Sequence, residues 1–151
     1  MVIVKRTDSN DKDFHGLISE LDKDLRSRYG AEQEEFDKFN KIENLATVII
    51  AYSNNEPVGC GCFKKFDTDS VEVKRMFVDP DHQRKGIGAS ILNELEKWAA
   101  EIGYRSMILE TGTRQPEAIE LYKKLGYHVI PNFDPYIGNV LSICMKKELN
   151  L

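Results

Sequence analysis

Six consecutive residues, Gln83-Arg84-Lys85-Gly86-Ile87-Gly88, carry the clearest chemical signal in the chain. Two glycines separated by one residue reach backbone conformations closed to other side chains, so successive N–H groups can turn toward a common point. The residues that follow, Ile87, Ile91, Leu92, Leu95, Trp98, Ala99 and Ile102, recur close to every 3.6 positions and predict an amphipathic helix ended by Gly103. The first N–H groups of such a helix have no partner within it, and its dipole is positive there. With Arg84 and Lys85 beside them, these groups suit an anion, in the first instance a phosphate or pyrophosphate. A tight turn with two solvated basic side chains would use the same residues. Two familiar phosphate loops are excluded. A dinucleotide fingerprint needs a third glycine where this chain has Ile91, and a Walker loop needs Gly-Lys-Ser/Thr, which is absent.

The elements around the loop follow from periodicity and punctuation. Val2 to Arg6 reads as a strand, and Asn10 or Asp11 caps a helix running to about Tyr29, with Phe14, Leu17, Ile18, Leu21 and Leu25 on its apolar face and Gly30 ending it. Glu32 to Asn40 reads as a second, more polar helix. Ala46 to Tyr52 and Val58 to Phe66 form a hairpin about Asn54-Asn55, and Ser70 to Val78 is the strand that leads into the loop. Beyond the long helix, Ser106 to Thr111 is a strand, Pro116 opens a helix closed by Gly126, and Tyr127 to Ile130 and Val140 to Lys146 are the last strands. The order β-α-α-β-β-β-α-β-α-β-β implies an α/β chain, a single domain over 1–151, built on a central mixed, mostly antiparallel sheet of about seven strands with helices on both faces.

At this point the chain resembles the GNAT acetyltransferase superfamily, in its small bacterial-type, single-domain form. That family's loop is Q/R-x-x-G-x-G/A, and Gln83 to Gly88 fits it fully. Val71 to Val78 looks like the family's cofactor-binding strand, and Ala118-Ile119-Glu120-Leu121-Tyr122-Lys123-Lys124-Leu125-Gly126-Tyr127 like its second signature. The resemblance implies acetyl-CoA as co-substrate and no metal. The backbone of Met76, Phe77 and Val78 would pair with the pantetheine arm, and Gln83, Arg84, Lys85, Gly86, Ile87, Gly88 and Ala89 would hold the pyrophosphate. Where many members carry an asparagine, this chain has Gln115, whose longer side chain would reach toward the same pantetheine groups.

Acetyl transfer to an amine needs a neutral nucleophile, although a lysine-like amine has a pKa of about 10.4. It also needs donors for the oxyanion and a proton for the departing thiolate. By the resemblance Tyr122 supplies that proton and Glu72 is the general base, with Glu110 or an ordered water chain as the alternative base; Glu110 would otherwise be a structural partner of Arg75 or Arg105. A backbone N–H of Met76 or Phe77 would face the oxyanion. Strict alternation along the strand puts Glu72, Lys74 and Met76 on one face unless a bulge intervenes. The acceptor would meet Arg26 to Phe39 and Asn132 to Tyr136. The acidic run Glu32, Glu34, Glu35, Asp37 would form a solvated helix face or attract a cation, whereas Arg26, Arg28 and Tyr29 would hold a carboxylate. Asn132, Asp134 and Tyr136 read as a lid or rim.

Composition narrows the class. Of 151 residues, 41% are hydrophobic and 30% charged, an ordinary globular profile, and the net charge of -4 argues against a nucleic-acid partner. No apolar run approaches the roughly 20 residues of a membrane span. Cys60, Cys62 and Cys144, an odd number without a signal peptide, imply reduced thiols and a cytoplasmic setting, with Cys60 and Cys62 packed as small apolar groups on one strand face. The expected activity is acetyl transfer to the amine of a small molecule, with a homodimer expected through the last strands. Acetylation of protein lysines or N-termini, and a non-catalytic CoA-binding regulatory module, are the other readings.

Overall fold

The computed structural model describes residues 1–30 and 44–149. The expected helix Glu32 to Asn40 and its acidic run lie outside the described residues. Seven strands form one sheet in the order β1-β2-β3-β4-β5-β7-β6. They are β1 (Val2–Thr7), β2 (Val48–Ser53), β3 (Glu56–Lys65), β4 (Ser70–Val78), β5 (Ser106–Gly112), β6 (His128–Ile130) and β7 (Ser142–Glu148). Only β4 and β5 pair in parallel. Helix α1 (Lys12–Tyr29) covers one face, and α2 (Ile87–Ile102) and α3 (Pro116–Lys124) the other. This is the mixed, mostly antiparallel architecture expected from the sequence. Among the described residues no helix is long and apolar enough to cross a membrane.

Each helix is held by the stripe its sequence encodes. Phe14, Leu17, Ile18 and Leu21 of α1 pack on Val48, Ile50, Cys60, Cys62 and Phe77. Ile87, Ile91, Leu92, Leu95 and Ala99 of α2 are at most 2% exposed, and each of the four larger side chains contributes about 1.5–3 kcal/mol through burial. Ile102, expected on that stripe, is instead 55% exposed. Gly103 turns the chain there, and Tyr104 supplies the closing contact, its ring 6.5 Å from that of Phe63.

Boundaries shift where turns are tighter than periodicity suggests. Asn54 and Asn55 both adopt positive φ (51° and 67°), a two-residue hairpin turn that lets β2 run to Ser53 and β3 begin at Glu56. The last strand starts at Ser142 rather than Val140. Asn139 takes Leu141 N on its side-chain oxygen at 2.9 Å and Ser142 N on its carbonyl at 3.1 Å, so residues 139–142 form a turn and Val140 stays 89% exposed.

The feature that shapes the site is a bulge in β4. Cys62 faces Lys74 and Cys60 faces Phe77, so β4 spends one more residue than β3 over this stretch. Arg75 takes φ +59°, a left-handed conformation that costs on the order of 1–2 kcal/mol for a residue with a Cβ. Arg75 Nη1 bonds Asp22 of α1 at 2.9 Å, and the Cys60 and Cys62 thiols donate to the carbonyls of Arg75 and Lys74 at 3.4 and 3.2 Å. The two cysteines therefore fill space as expected and also hold the kinked backbone.

Candidate active site

The bulge inverts the alternation. Val71 and Val73 face α2, and Glu72 and Lys74 face α1, as a regular strand requires. After Arg75 the sense changes, and Met76 packs with Ile91 and Leu95 on the α2 face. Gly61 makes this possible, because a Cβ there would press on Met76 Sδ. The expectation that Glu72, Lys74 and Met76 share a face is thus corrected: the bulge sends Met76 to the opposite side. Pairing of β4 with β5 ends at Val73–Leu109. Past that point the strands separate, and the β5-facing edge of Met76 to Val78 borders a cleft through the sheet.

The loop Gln83 to Gly88 lies at the end of that edge. A single 3-10 turn (Pro80–His82) ends β4, and Gln83 Nε2 donates back to the carbonyl of Val78 at 3.1 Å. Gln83 therefore braces the loop against the strand. Arg84 and Gly86 take positive φ (64° and 80°), so the chain turns sharply before Ile87. The first bond within α2 is Ser90 N to Gly86 O at 3.0 Å, which leaves the N–H groups of Ile87, Gly88 and Ala89 at the helix mouth. Helix α1 satisfies its own start with the Asp11 side chain and carries Asp13 in its first turn. Helix α2 has neither a side-chain cap nor a first-turn acid. Its N-terminus, beside the exposed Arg84 and Lys85, fits an anionic group supplied from outside.

Tyr122 of α3 borders the cleft from the α2 side. It is 6% exposed, its ring packs edge-on to Tyr127 at 5.9 Å, and its hydroxyl has no hydrogen-bond partner among the described residues. Burial, and secondarily the charge of Glu110, raises its pKa well above the ordinary tyrosine value, so the hydroxyl keeps its proton at neutral pH.

The α1 side holds the carboxylates. Glu72 is 5% exposed and forms an ion pair with Lys74 Nζ at 3.7 Å. Lys74 also donates to Tyr136 Oη at 3.4 Å, and burial lowers its pKa despite Glu72. Glu110, near the end of β5, accepts a hydrogen bond from Ser142 Oγ at 2.7 Å. Neither Arg75 nor Arg105 is its partner, since Arg75 is taken by Asp22. Burial pushes the Glu110 carboxyl up to about 7, against the opposing pulls of Ser142 and Lys74. A base poised at neutrality is efficient because it is ionised in an appreciable fraction and still binds a proton well.

Loop elements fix the rim. Tyr136 is 1% exposed and forms a wall of the cleft rather than a lid; Asn132 Nδ2 donates to the carbonyls of Tyr136, Asn139 and Ser142 and ties the loop down. Asp134 is exposed. Arg28 is committed to Asp24, Glu117 and the Arg114 carbonyl, and Arg26 is exposed, which leaves no carboxylate clamp on α1. Gln115 Oε1 takes Gly112 N at 3.2 Å and Tyr29 Oη at 3.4 Å, and its amide nitrogen stays available to a ligand. Tyr29 sits so closely over Gly112 that a Cβ there would overlap its hydroxyl. Gly112→Ala is therefore expected to cost about 1–3 kcal/mol of stability through overpacking. Chemical denaturation reads this, and an unchanged midpoint would mean that Tyr29 shifts freely.

Lys74 is the cleft residue to which the sequence assigned no part in the site, whereas Tyr136 was expected at its rim. Period-two alternation pairs Lys74 with Glu72 on one face, and nothing local marks the bulge after it that opens the cleft beside them.

A family model described as the acetyltransferase (GNAT) family matches residues 14–127. The IAA acetyltransferase of Azospirillum brasilense is 36% identical over 142 residues, covering 88% of each chain. A structure solved as a candidate acyl-CoA N-acyltransferase from Klebsiella pneumoniae superposes with a TM-score of 0.81 over 99% of both chains at 31% identity. A GNAT family acetyltransferase from Elizabethkingia anophelis, solved with acetyl-CoA bound, gives 0.68 over 98% of both chains at 19% identity.

Proposed function

The chain belongs to the GNAT acetyltransferase family, and from that premise we propose that it moves the acetyl group of acetyl-CoA onto the amine of a small molecule by direct attack, through a tetrahedral intermediate. Residues 1–151 act as one N-acetyltransferase domain in this reading. The observation that carries it is the split between β4 and β5, with the Tyr122 hydroxyl, which has no hydrogen-bond partner among the described residues, on one side and the Glu110 carboxyl, pushed up to about 7 by burial, on the other. The α2 N-terminus from Ile87 to Ala89, with Arg84, Lys85 and Gly86, holds the pyrophosphate, and Gln83 braces that loop. The open edge of Met76, Phe77 and Val78 takes the pantetheine arm, joined by the Gln115 amide. A backbone N–H at Met76 or Phe77 faces the developing oxyanion.

Glu72 and Glu110 form the basic side. Because Glu72 shares its charge with Lys74 at 3.7 Å, the proton of the attacking amine passes to Glu110, and Glu72 keeps Lys74 matched. Tyr122 gives its proton to the departing thiolate. Thiol release from acetyl-CoA is expected to require both protein and added amine. Binding of CoA, measured by calorimetry, with no amine-dependent thiol release would leave a CoA-binding module instead of an enzyme. No CoA binding would overturn the assignment of the loop.

A further inference from the structure

The charges on the α1 side of the cleft are unequally matched. Lys74 Nζ lies 3.7 Å from Glu72, and Arg75 Nη1 lies 2.9 Å from Asp22, so each cation at the opening already faces a carboxylate. Glu110 differs, because its partner is the neutral hydroxyl of Ser142 at 2.7 Å and it has no ion-pair partner among the described residues. Leu21, Leu25 and Tyr136 supply apolar and aromatic surface in the same lining, beside the polar Thr111 and Gln115. A ligand seated there replaces water around one carboxylate in excess. Bringing one positive group balances that charge, whereas bringing a carboxylate as well leaves the second charge desolvated, since among the described residues of the cleft both cations, Lys74 and Arg75, are already paired.

Resting on the acetyl-transfer reading, we infer that the acceptor is a monocationic amine on a small apolar body, bearing no carboxylate, selected because Glu110 is, among the described residues of the cleft, the carboxylate with no ion-pair partner while Lys74 and Arg75 are each paired. Amino acids are disfavoured acceptors on this account. The discrimination is electrostatic, so it follows the substrate's carboxylate rather than its bulk. It also depends on Asp22, which contacts the guanidinium of Arg75 and lies outside the residues assigned to the chemistry.

The test uses the full chain loaded with CoA and three probes, namely phenethylamine, phenylalanine and phenylalanine methyl ester. In calorimetric titrations the amine and the ester are expected to bind about tenfold more tightly than phenylalanine. Phenylalanine binding as tightly as the amine would overturn the inference, and so would failure of the amine to bind. Discrimination against the ester as strong as that against phenylalanine would show that size is the cause, and would overturn it too. In Asp22→Asn, Arg75 loses its carboxylate, and the preference for amine over phenylalanine is expected to shrink. An unchanged preference in that variant would remove the matched cations as its origin. Thiol release from acetyl-CoA in the same mixtures separates the two readings. Faster turnover of phenylalanine sinks the inference and keeps acetyl transfer. Selective amine binding with no turnover sinks acetyl transfer, and with it the identity of the amine as acceptor, and leaves the charge selectivity of the cleft alone standing.

Discussion

Tyr122→Phe is expected to lower kcat by about 100-fold, the scale of a lost general acid, while the KM for acetyl-CoA changes little. The ring packs against Tyr127 and the core around α2 and is retained in phenylalanine. The hydroxyl is buried with no hydrogen-bond partner among the described residues, so its removal leaves no orphaned group behind. Thermal melting should therefore show a variant as stable as the parent or slightly more so. A slow enzyme with an intact melting transition separates loss of a proton donor from loss of packing. Full turnover by Tyr122→Phe across the pH range would take this residue out of the mechanism.

Glu110→Gln is expected to affect rate and stability in opposite directions. With the carboxyl pushed up to about 7, kcat/KM of the parent rises with pH through that value as the base ionises. The variant should lose this bend and turn over about 100-fold more slowly above it. The sign for stability follows from linkage. Below the ordinary glutamate value of 4.5, folded and unfolded chains are both protonated. Between there and about 7 the unfolded chain has released its proton while the folded one retains it. The folded state binds more protons in this window, so stability falls as pH rises through it, by up to about 3 kcal/mol. The amide that replaces the carboxyl in the variant carries no charge to desolvate. Denaturation of the two proteins should give similar stabilities at low pH and a more stable variant at pH above about 8. A larger kinetic loss in Glu72→Gln than in Glu110→Gln would return the role of base to Glu72.

Much of the site is legible in short stretches of the chain. The loop Gln83 to Gly88 and the helix after it follow from residues a few positions apart, and the left-handed turn at Gly86 is one that glycine adopts freely. The stripe on α2, the Asp11 cap of α1 and the hairpin about Asn54-Asn55 are local in the same sense. Tyr122 could be selected as a residue on the α3 signature, although its orphaned hydroxyl could not. The limits of local reading show at Ile102, where the helix ends before the last apolar residue finds cover, and at Val140, where the Asn139 turn delays the strand.

The sequence by itself determined the three described helices, most of the strands and the uncapped glycine turn that opens α2, because each depends on backbone preferences and side-chain spacing over a few residues. It left open which face of β4 each side chain would take and what each carboxylate would meet. The bulge at Arg75 reverses the alternation after Lys74. Its cause is spread over Gly61, which makes room for Met76, Asp22, which receives the Arg75 guanidinium, and the two cysteine thiols. Glu72 and Glu110 look alike as residues on neighbouring strands. Alternation along β4 already sets Lys74 beside the first, whereas only the tertiary structure puts a Ser142 hydroxyl from β7 beside the second. Burial and neighbouring charge govern where a carboxyl titrates, and both are properties of the packed sheet rather than of any stretch of chain.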